Sequence, residues 1–208
     1  MKQTGWRRCC KRAMDLTVAG TALVATAPVI AAAAVGIRAT MGSPVLFRQE
    51  RPGQDGRIIR IMKFRSMRHP EPHEQGVEHD AARLTRLGSF LRKSSIDELP
   101  QLVNVLKGDM SLVGPRPLIP RYWSRYTDEQ RRRHDVLPGI TGWAQVHGRN
   151  AISWDEKFQL DVWYVDNWSL ALDLKILAKT VTSVARRDGI SSEGHATMHE
   201  FMGSEAPA

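Results

Sequence analysis

Ser94-Ser95-Ile96-Asp97-Glu98-Leu99-Pro100-Gln101-Leu102-Val103-Asn104-Val105-Leu106-Lys107 opens as a helix start should. Pro100 has no N–H to donate, so it fits a first turn, where that donor would be unpaired in any case. The spacing predicts a cap near Asp97, with Glu98 at the first helical position and Pro100 at the third. Leu99, Leu102, Val103 and Leu106 recur at helical intervals and predict one buried face. Two adjacent carboxylates thus stand at the electropositive end of a packed helix, where the dipole favours their ionised form. Arg92 and Lys93 precede them, and Lys107 and Arg116 follow. Taken alone, the stretch reads as a capped helix whose Glu98 eases the dipole.

The surrounding chain of 208 residues can bury one substantial core and carry an accessory segment. Lys and Arg number 30 against 22 Asp and Glu, a formal charge of +8. That excess points to anionic partners: nucleic acid, anionic lipid or phosphorylated substrates. The basic residues recur at loop and helix ends instead of forming one tail, which fits several phosphate contacts. Cys9 and Cys10 are adjacent, and neighbouring cysteines seldom have the geometry to pair. Without a disulfide framework, the folded part is expected in the cytoplasm. The histidines are scattered, and no metal-ligand spacing of Cys and His appears.

Upstream, Leu16 to Ile37 contains no charged residue and as a helix would measure about 33 Å, enough to cross a hydrocarbon core. Pro28 interrupts it, and Ala is as frequent there as Leu, Val and Ile together, so insertion is favourable by a narrow margin. Three readings fit: a cleaved signal peptide, a straight span, and a re-entrant hairpin broken at Pro28. Lys2, Arg7, Arg8, Lys11 and Arg12 lie before the segment, and Arg38, Arg48 and Arg51 after it. Basic flanks prefer the cytoplasm, so charge at both ends favours the hairpin.

Between this segment and the opening stretch, residues 45–49 and 58–64 read as strands joined by a Pro52–Gly56 turn, a small β-hairpin. Residues 67–80 read as a loop and 81–93 as a helix. Downstream, residues 121–136 read as a polar helix whose Arg131-Arg132-Arg133 run is solvated or membrane-facing. Ser153-Trp154-Asp155-Glu156 is a capping-box signature that starts a helix running to about Asn167, and another occupies 171–187. Trp154, Trp163 and Trp168 suit either a membrane interface or an ordinary core. The fold class expected is α+β and mainly helical, in three parts. Residues 1–42 form a basic N-terminus and membrane helix, 43–188 a cytoplasmic catalytic domain, and 189–208 a polar tail.

Three further loops carry candidate chemistry. In Gly114-Pro115-Arg116-Pro117 two prolines hold Arg116 extended, which lowers the ordering cost of gripping a phosphate. The alternative is a structural turn with a solvent-facing Arg. Residues 138–149 contain three glycines that allow close backbone approach to a ligand, yet match neither the P-loop nor the dinucleotide fingerprint. Lys63-Phe64-Arg65 ends a strand with two cations, which also serves as an edge-strand safeguard.

Jointly these segments resemble the bacterial sugar transferases of the small monotopic phosphoglycosyl transferase class. The resemblance runs from Lys11-Arg12-Ala13-Met14-Asp15 through Lys63-Phe64-Arg65-Ser66-Met67 and Leu91 to Gln101. It continues through Gly108-Asp109-Met110-Ser111-Leu112-Val113-Gly114-Pro115-Arg116-Pro117 and residues 138–150 to Asp173. It implies a re-entrant hairpin with both ends cytoplasmic, broken at Pro28, and interfacial amphipathic helices around the site. The chain departs from the family at Ala27, where Ser is common, and at His147, where Asn is common. Glu193-Gly194-His195-Ala196-Thr197-Met198 resembles members that handle amino or acetamido sugars.

The resemblance also implies a reaction: sugar-1-phosphate moves from a UDP-sugar to polyprenyl (undecaprenyl) phosphate at the bacterial inner membrane, releasing UMP. Asp97 would be the nucleophile and a ligand of Mg2+, with Glu98 positioning the metal or the acceptor phosphate. Lys63, Arg92, Arg116 and Arg149 would bind substrate phosphates. Nucleic acid is not an expected partner on this reading. The competing class is a membrane-anchored basic protein that binds nucleic acid or anionic lipid without catalysis.

Overall fold

The computed structural model describes residues 5–71, 74, 79–148, 152–186 and 200–203. A 37-residue helix, α1 (Gly5–Met41), leads into an antiparallel hairpin of β1 (Leu46–Pro52) and β2 (Ile58–Phe64). Then come α2 (Asp80–Arg83), α3 (Arg86–Lys93) and a 3-10 turn, Ile96–Glu98. α4 (Gln101–Lys107) and β3 (Ser111–Val113) follow. β3 pairs in parallel with β4 (Gly139–Thr141) across a segment holding α5 (Asp128–Arg131). α6 (Trp143–Val146), α7 (Trp154–Asn167) and α8 (Leu170–Arg186) complete the described fold. It is mainly helical with small sheets, as expected.

α1 buries a narrow stripe. Lys11, Asp15 and Ala19 are buried at intervals of four, then Ala33 and Ile37, with Ala22, Leu23, Ile30 and Met41 partly covered between and beyond them. Residues three and four apart share a helix face, so one side of α1 meets the body along its length. The rest of its apolar surface is bare: the most apolar window is only 11% buried. The N-terminal half packs in a core with Ile61, Leu102, Val105 and Met110, and the C-terminal half packs in a second with Phe64 and Leu91. Helical structure continues unbroken through Pro28, so the expected separation into two helices is not seen. The proline removes only its own donor, which otherwise would serve the Val24 carbonyl, and a helix tolerates one such loss with a bend. Thr26 Oγ1 donates to Ala22 O at 2.7 Å, placing a hydroxyl near the proline although Ala27 has none.

Polar anchors tie both ends of α1 to the body. Lys11 Nζ donates to Asp173 Oδ2 at 2.7 Å and to Val113 O at 3.1 Å, and Asp173 also accepts from Tyr164 and Trp168. Asp15 accepts from Ser111 Oγ and Leu112 N, so it holds the start of β3. Arg12 donates to Val105 O and Leu106 O, satisfying carbonyls at the C-terminus of α4. At the other end, Arg65 binds the carbonyls of Met41, Gly42 and Ser43. The Lys63-Phe64-Arg65 cations are therefore not edge guards: Arg65 caps α1.

Several local expectations change. α4 begins at Gln101, preceded by the 3-10 turn, instead of continuing back to a cap at Asp97. Pro100 cannot donate to an i−4 carbonyl, so the α ladder starts beyond it. Of the expected face, Leu102 is buried and Leu99 and Leu106 pack half-buried against the same core, joined by buried Gln101, Asn104 and Val105. Asn104 bridges to β2, accepting from Met62 N and donating to Arg60 O, as a strand would. Residues 81–93 divide into α2 and α3. Gly88 lies against Ser66, where an added Cβ would stand 1.7 Å from the carbonyl oxygen. The polar helix expected at 121–136 is instead the 3-10 turn Pro120–Arg125, α5 with its Thr127–Gln130 capping box, and the 3-10 turn Arg132–His134. Ser153 caps α7 as the signature predicts, accepting from Glu156 N. Trp168 is core, Trp154 belongs to an aromatic cluster with Tyr122, Phe158 and Phe201, and Trp163 stays exposed against Trp143.

Candidate active site

Lys63, Glu98 and Arg116 meet at one point. Lys63 comes from the end of β2, Glu98 from the 3-10 turn, and Arg116 from the loop after β3. Lys63 Nζ donates to Glu98 Oε1 at 2.6 Å, and Arg116 binds both Glu98 oxygens. Burial alone would raise the Glu98 carboxyl, but Arg116 and Lys63 hold it well below the usual range. Glu98 is thus a fixed anion between two cations.

Asp97 differs. It is only 8% exposed, yet its carboxylate makes no hydrogen bond or ion pair with any described residue. Burial, with Glu98 adding repulsion, pushes its carboxyl up to about 6 against the pull of Lys63, Arg116 and Arg92. The dipole argument of the sequence predicted the opposite direction; it fails because burial outweighs the cations, which bind Glu98 and not Asp97. Asp97 does not cap the helix, as a nucleophile requires. Ser94 does not cap it either: its hydroxyl donates back to Phe90 O and Leu91 O. Ser95 holds a left-handed conformation, φ 57°, which turns the chain into Asp97 and is costly for a residue with a Cβ.

The Arg116 loop is braced from behind. Gly114 N donates to Thr141 O, and Gly139 N donates to Pro115 O. A Cβ on Gly139 would stand 2.1 Å from Gly114 N, and one on Gly142 2.2 Å from Gly114 O. Those glycines therefore admit the 114–117 backbone and not a ligand. Arg133 donates to Arg116 O at 2.7 Å while its guanidinium is paired with buried Asp161 at 2.6 Å. The expectation of a solvated Arg131-Arg132-Arg133 face fails at Arg133, which is fully internal.

Arg92 Nε donates to Ser66 Oγ at 2.9 Å and stays within electrostatic reach of Asp97. Pro28 lies on the exposed side of α1. Arg149 and the Glu193–Met198 motif fall outside the described residues. His147 contacts Trp143 O through Nδ1 and Lys179 Nζ through Nε2. Sequence reasoning missed the Arg133–Asp161 brace, and also Arg51 and Lys157, which lie electrostatically close to Arg116. Only the unusual Arg run could have signalled the first.

Among the described residues no three His, Cys, Asp or Glu converge as a metal cluster. A magnesium ion asks for less: one or two carboxylates, with substrate phosphates and water completing its shell. The unpartnered, partly proton-retaining Asp97 carboxylate fits that role, and Glu98 is already engaged by cations.

The bacterial sugar transferase family model matches residues 6–187. An uncharacterized sugar transferase, EpsL of Bacillus subtilis (strain 168), is 54% identical over 194 residues, covering 93% of this chain and 96% of the relative. The UDP-glucose:undecaprenyl-phosphate glucose-1-phosphate transferase of Xanthomonas campestris pv. campestris is 42% identical over 186 residues, 84% of this chain and 38% of that protein. The UDP-N-acetylgalactosamine-undecaprenyl-phosphate N-acetylgalactosaminephosphotransferase of Aeromonas hydrophila is 43% identical over 182 residues, 84% of this chain and 43% of the relative. The chain thus spans under half the length of these last two. The chain belongs to the bacterial sugar transferase family, the phosphoglycosyl transferases its motifs resemble.

Proposed function

We propose that this chain transfers sugar-1-phosphate from a UDP-sugar to polyprenyl phosphate and releases UMP. The observation that carries the reading is a buried Asp97 carboxylate, without a partner among the described residues, beside a Glu98 that fixes Lys63 and Arg116. An Asp97 oxygen attacks the phosphorus that bears the sugar; a P–O bond to Asp97 forms and the bond to UMP breaks. An oxygen of the polyprenyl phosphate then attacks the same phosphorus and displaces Asp97, giving polyprenyl-diphosphate-sugar. Arg116, Lys63 and Arg92 hold the phosphate oxygens in line, joined by Arg149. Glu98 keeps two of those cations in place. Asp97 would be the residue that holds Mg2+, and the metal would supply charge neutralisation as the carboxylate meets the diphosphate.

The donor is assigned as an amino or acetamido sugar nucleotide, on the Glu193–Met198 motif and the Aeromonas relative. Residues 1–42 act as the anchor and 43–188 as the catalytic domain on the cytoplasmic face of the inner membrane. We assign α1 a re-entrant path, bent at Pro28 and entering and leaving by one face. Anchoring of both its ends to a single body supports that path, because a span would separate them. The exposed apolar residues of α8, Leu174 and Val181, suit the same interface. The test is UMP release with a panel of UDP-sugars, polyprenyl phosphate and Mg2+. Release dependent on one sugar nucleotide is expected, and no release with any of them contradicts the reading.

A further inference from the structure

Arg51 stands outside the set just described and has an unusual environment. In an antiparallel pair, facing residues share a side of the sheet, as do residues two apart along each strand. The register Phe47–Lys63, Gln49–Ile61 and Arg51–Ile59 therefore places Lys63 and Arg51 on one face. Buried Ile61 between them identifies it as the face turned to the body. Lys63 is bound by Glu98. Arg51 has no carboxylate partner among the described residues: one terminal nitrogen donates to Gln49 Oε1 at 2.5 Å, and its Nε is buried with no acceptor. A guanidinium withdrawn from water without an anion is costly. Burial lowers it to about 10, and Arg116 adds repulsion. Lys157, from α7, is lowered by burial to about 8, with Asp161 pulling it up and Arg133 and Arg116 pushing it down.

The hairpin has a polarity. Its open end, at Leu46 and Phe64, packs beside Ile37 and Met41 at the end of the apolar helix. Its tip packs against the segment after β3, where Gly56 meets Trp123 and Gly53 O meets His134. Arg51 lies toward the tip, about 13 Å along the strand from Lys63. That end borders a cavity that α1 lines with Arg8, Lys11, Arg12 and Asp15, the charged turns ahead of its apolar stretch, where a soluble anionic substrate can approach.

We propose that Arg51 forms an anion subsite next to Arg116 that takes the phosphate of the nucleotide leaving group. The inference rests on the sugar-phosphate transfer reading and names the place of the departing UMP within it. The probe is UMP, titrated calorimetrically into the full chain in lipid nanodiscs, with wild type, Arg51→Gln, Arg51→Met and Asp97→Asn compared. Loss of a charge-assisted phosphate contact is expected to weaken UMP binding at least about tenfold in both Arg51 variants. Their KM for the UDP-sugar is expected to rise more than kcat falls. Arg51→Met retains the packing of the side-chain stem and decides the matter if the melting curve of Arg51→Gln shows misfolding. Arg51 variants that bind UMP like wild type overturn the subsite while leaving the transfer reading intact. A defect confined to discharge of the phosphosugar onto prenyl phosphate, with UMP affinity unchanged, assigns the site to the acceptor and contradicts the proposal. Wild type that releases UMP while Asp97→Asn forms the same adduct overturns the Asp97 assignment and leaves the subsite standing.

Discussion

At the level of single residues, Glu98 accepts from Lys63 and Arg116 while Asp97 accepts from neither, and this division shapes the chemistry. A carboxyl at about 6 is largely ionised at neutral pH. Below that, the rate of UMP release in a single turnover is expected to fall about tenfold per pH unit, since only the carboxylate attacks. A rate unchanged to pH 5 contradicts the assignment. The same shift affects stability. The folded carboxyl lies above its ordinary value of 3.8, so folding takes up a proton between about pH 4 and 6 and Asp97 destabilises the fold above that window. Asp97→Asn is therefore expected to melt a few °C higher than wild type at pH 7.5 while losing transfer. Glu98→Gln works the other way: it leaves Lys63 and Arg116 without their anion, so melting temperature and activity both fall.

At the level of elements, legibility in the sequence followed the range of the interactions. The hairpin, the Ser153 cap and the extent of α7 and α8 depend on local periodicity and turn chemistry, and all were readable. The start of α4 was misplaced because Pro100 permits a 3-10 turn before the helix as well as a first helical turn. The burial of Arg133 was not readable, since its partner Asp161 arrives from an element distant in sequence. Arg133→Met is expected to cost about 3–5 kcal/mol by stranding Asp161. An Arg133→Met/Asp161→Leu double variant is expected to recover much of that in chemical denaturation, yet to stay impaired in transfer because Arg116 O loses its donor. Full recovery of activity contradicts a role for this brace in the Arg116 loop. Gly88→Ala, forced against the Ser66 backbone, is expected to destabilise by about 2 kcal/mol or more.

At the level of the whole molecule, one helix binds the body at both ends and leaves most of its apolar surface uncovered. Its base is wired to the site: Lys11 and Asp15 hold β3, and β3 runs directly into the Arg116 loop. The uncovered apolar helix and the candidate site thus share one framework. Cys9 and Cys10 are exposed near one end of α1. A cysteine at Thr40, in a background lacking those two, reports the other end. Both are expected to react with a membrane-impermeant maleimide from the same face, and labelling from opposite faces contradicts the re-entrant path. The covalent step itself is tested by intact mass after incubation with a UDP-sugar and Mg2+ but no lipid acceptor. Wild type is expected to gain the mass of one phosphosugar, discharged when polyprenyl phosphate is added, and Asp97→Asn to gain nothing. Transfer by wild type with no such adduct, or an adduct that persists in Asp97→Asn, contradicts Asp97 as the nucleophile.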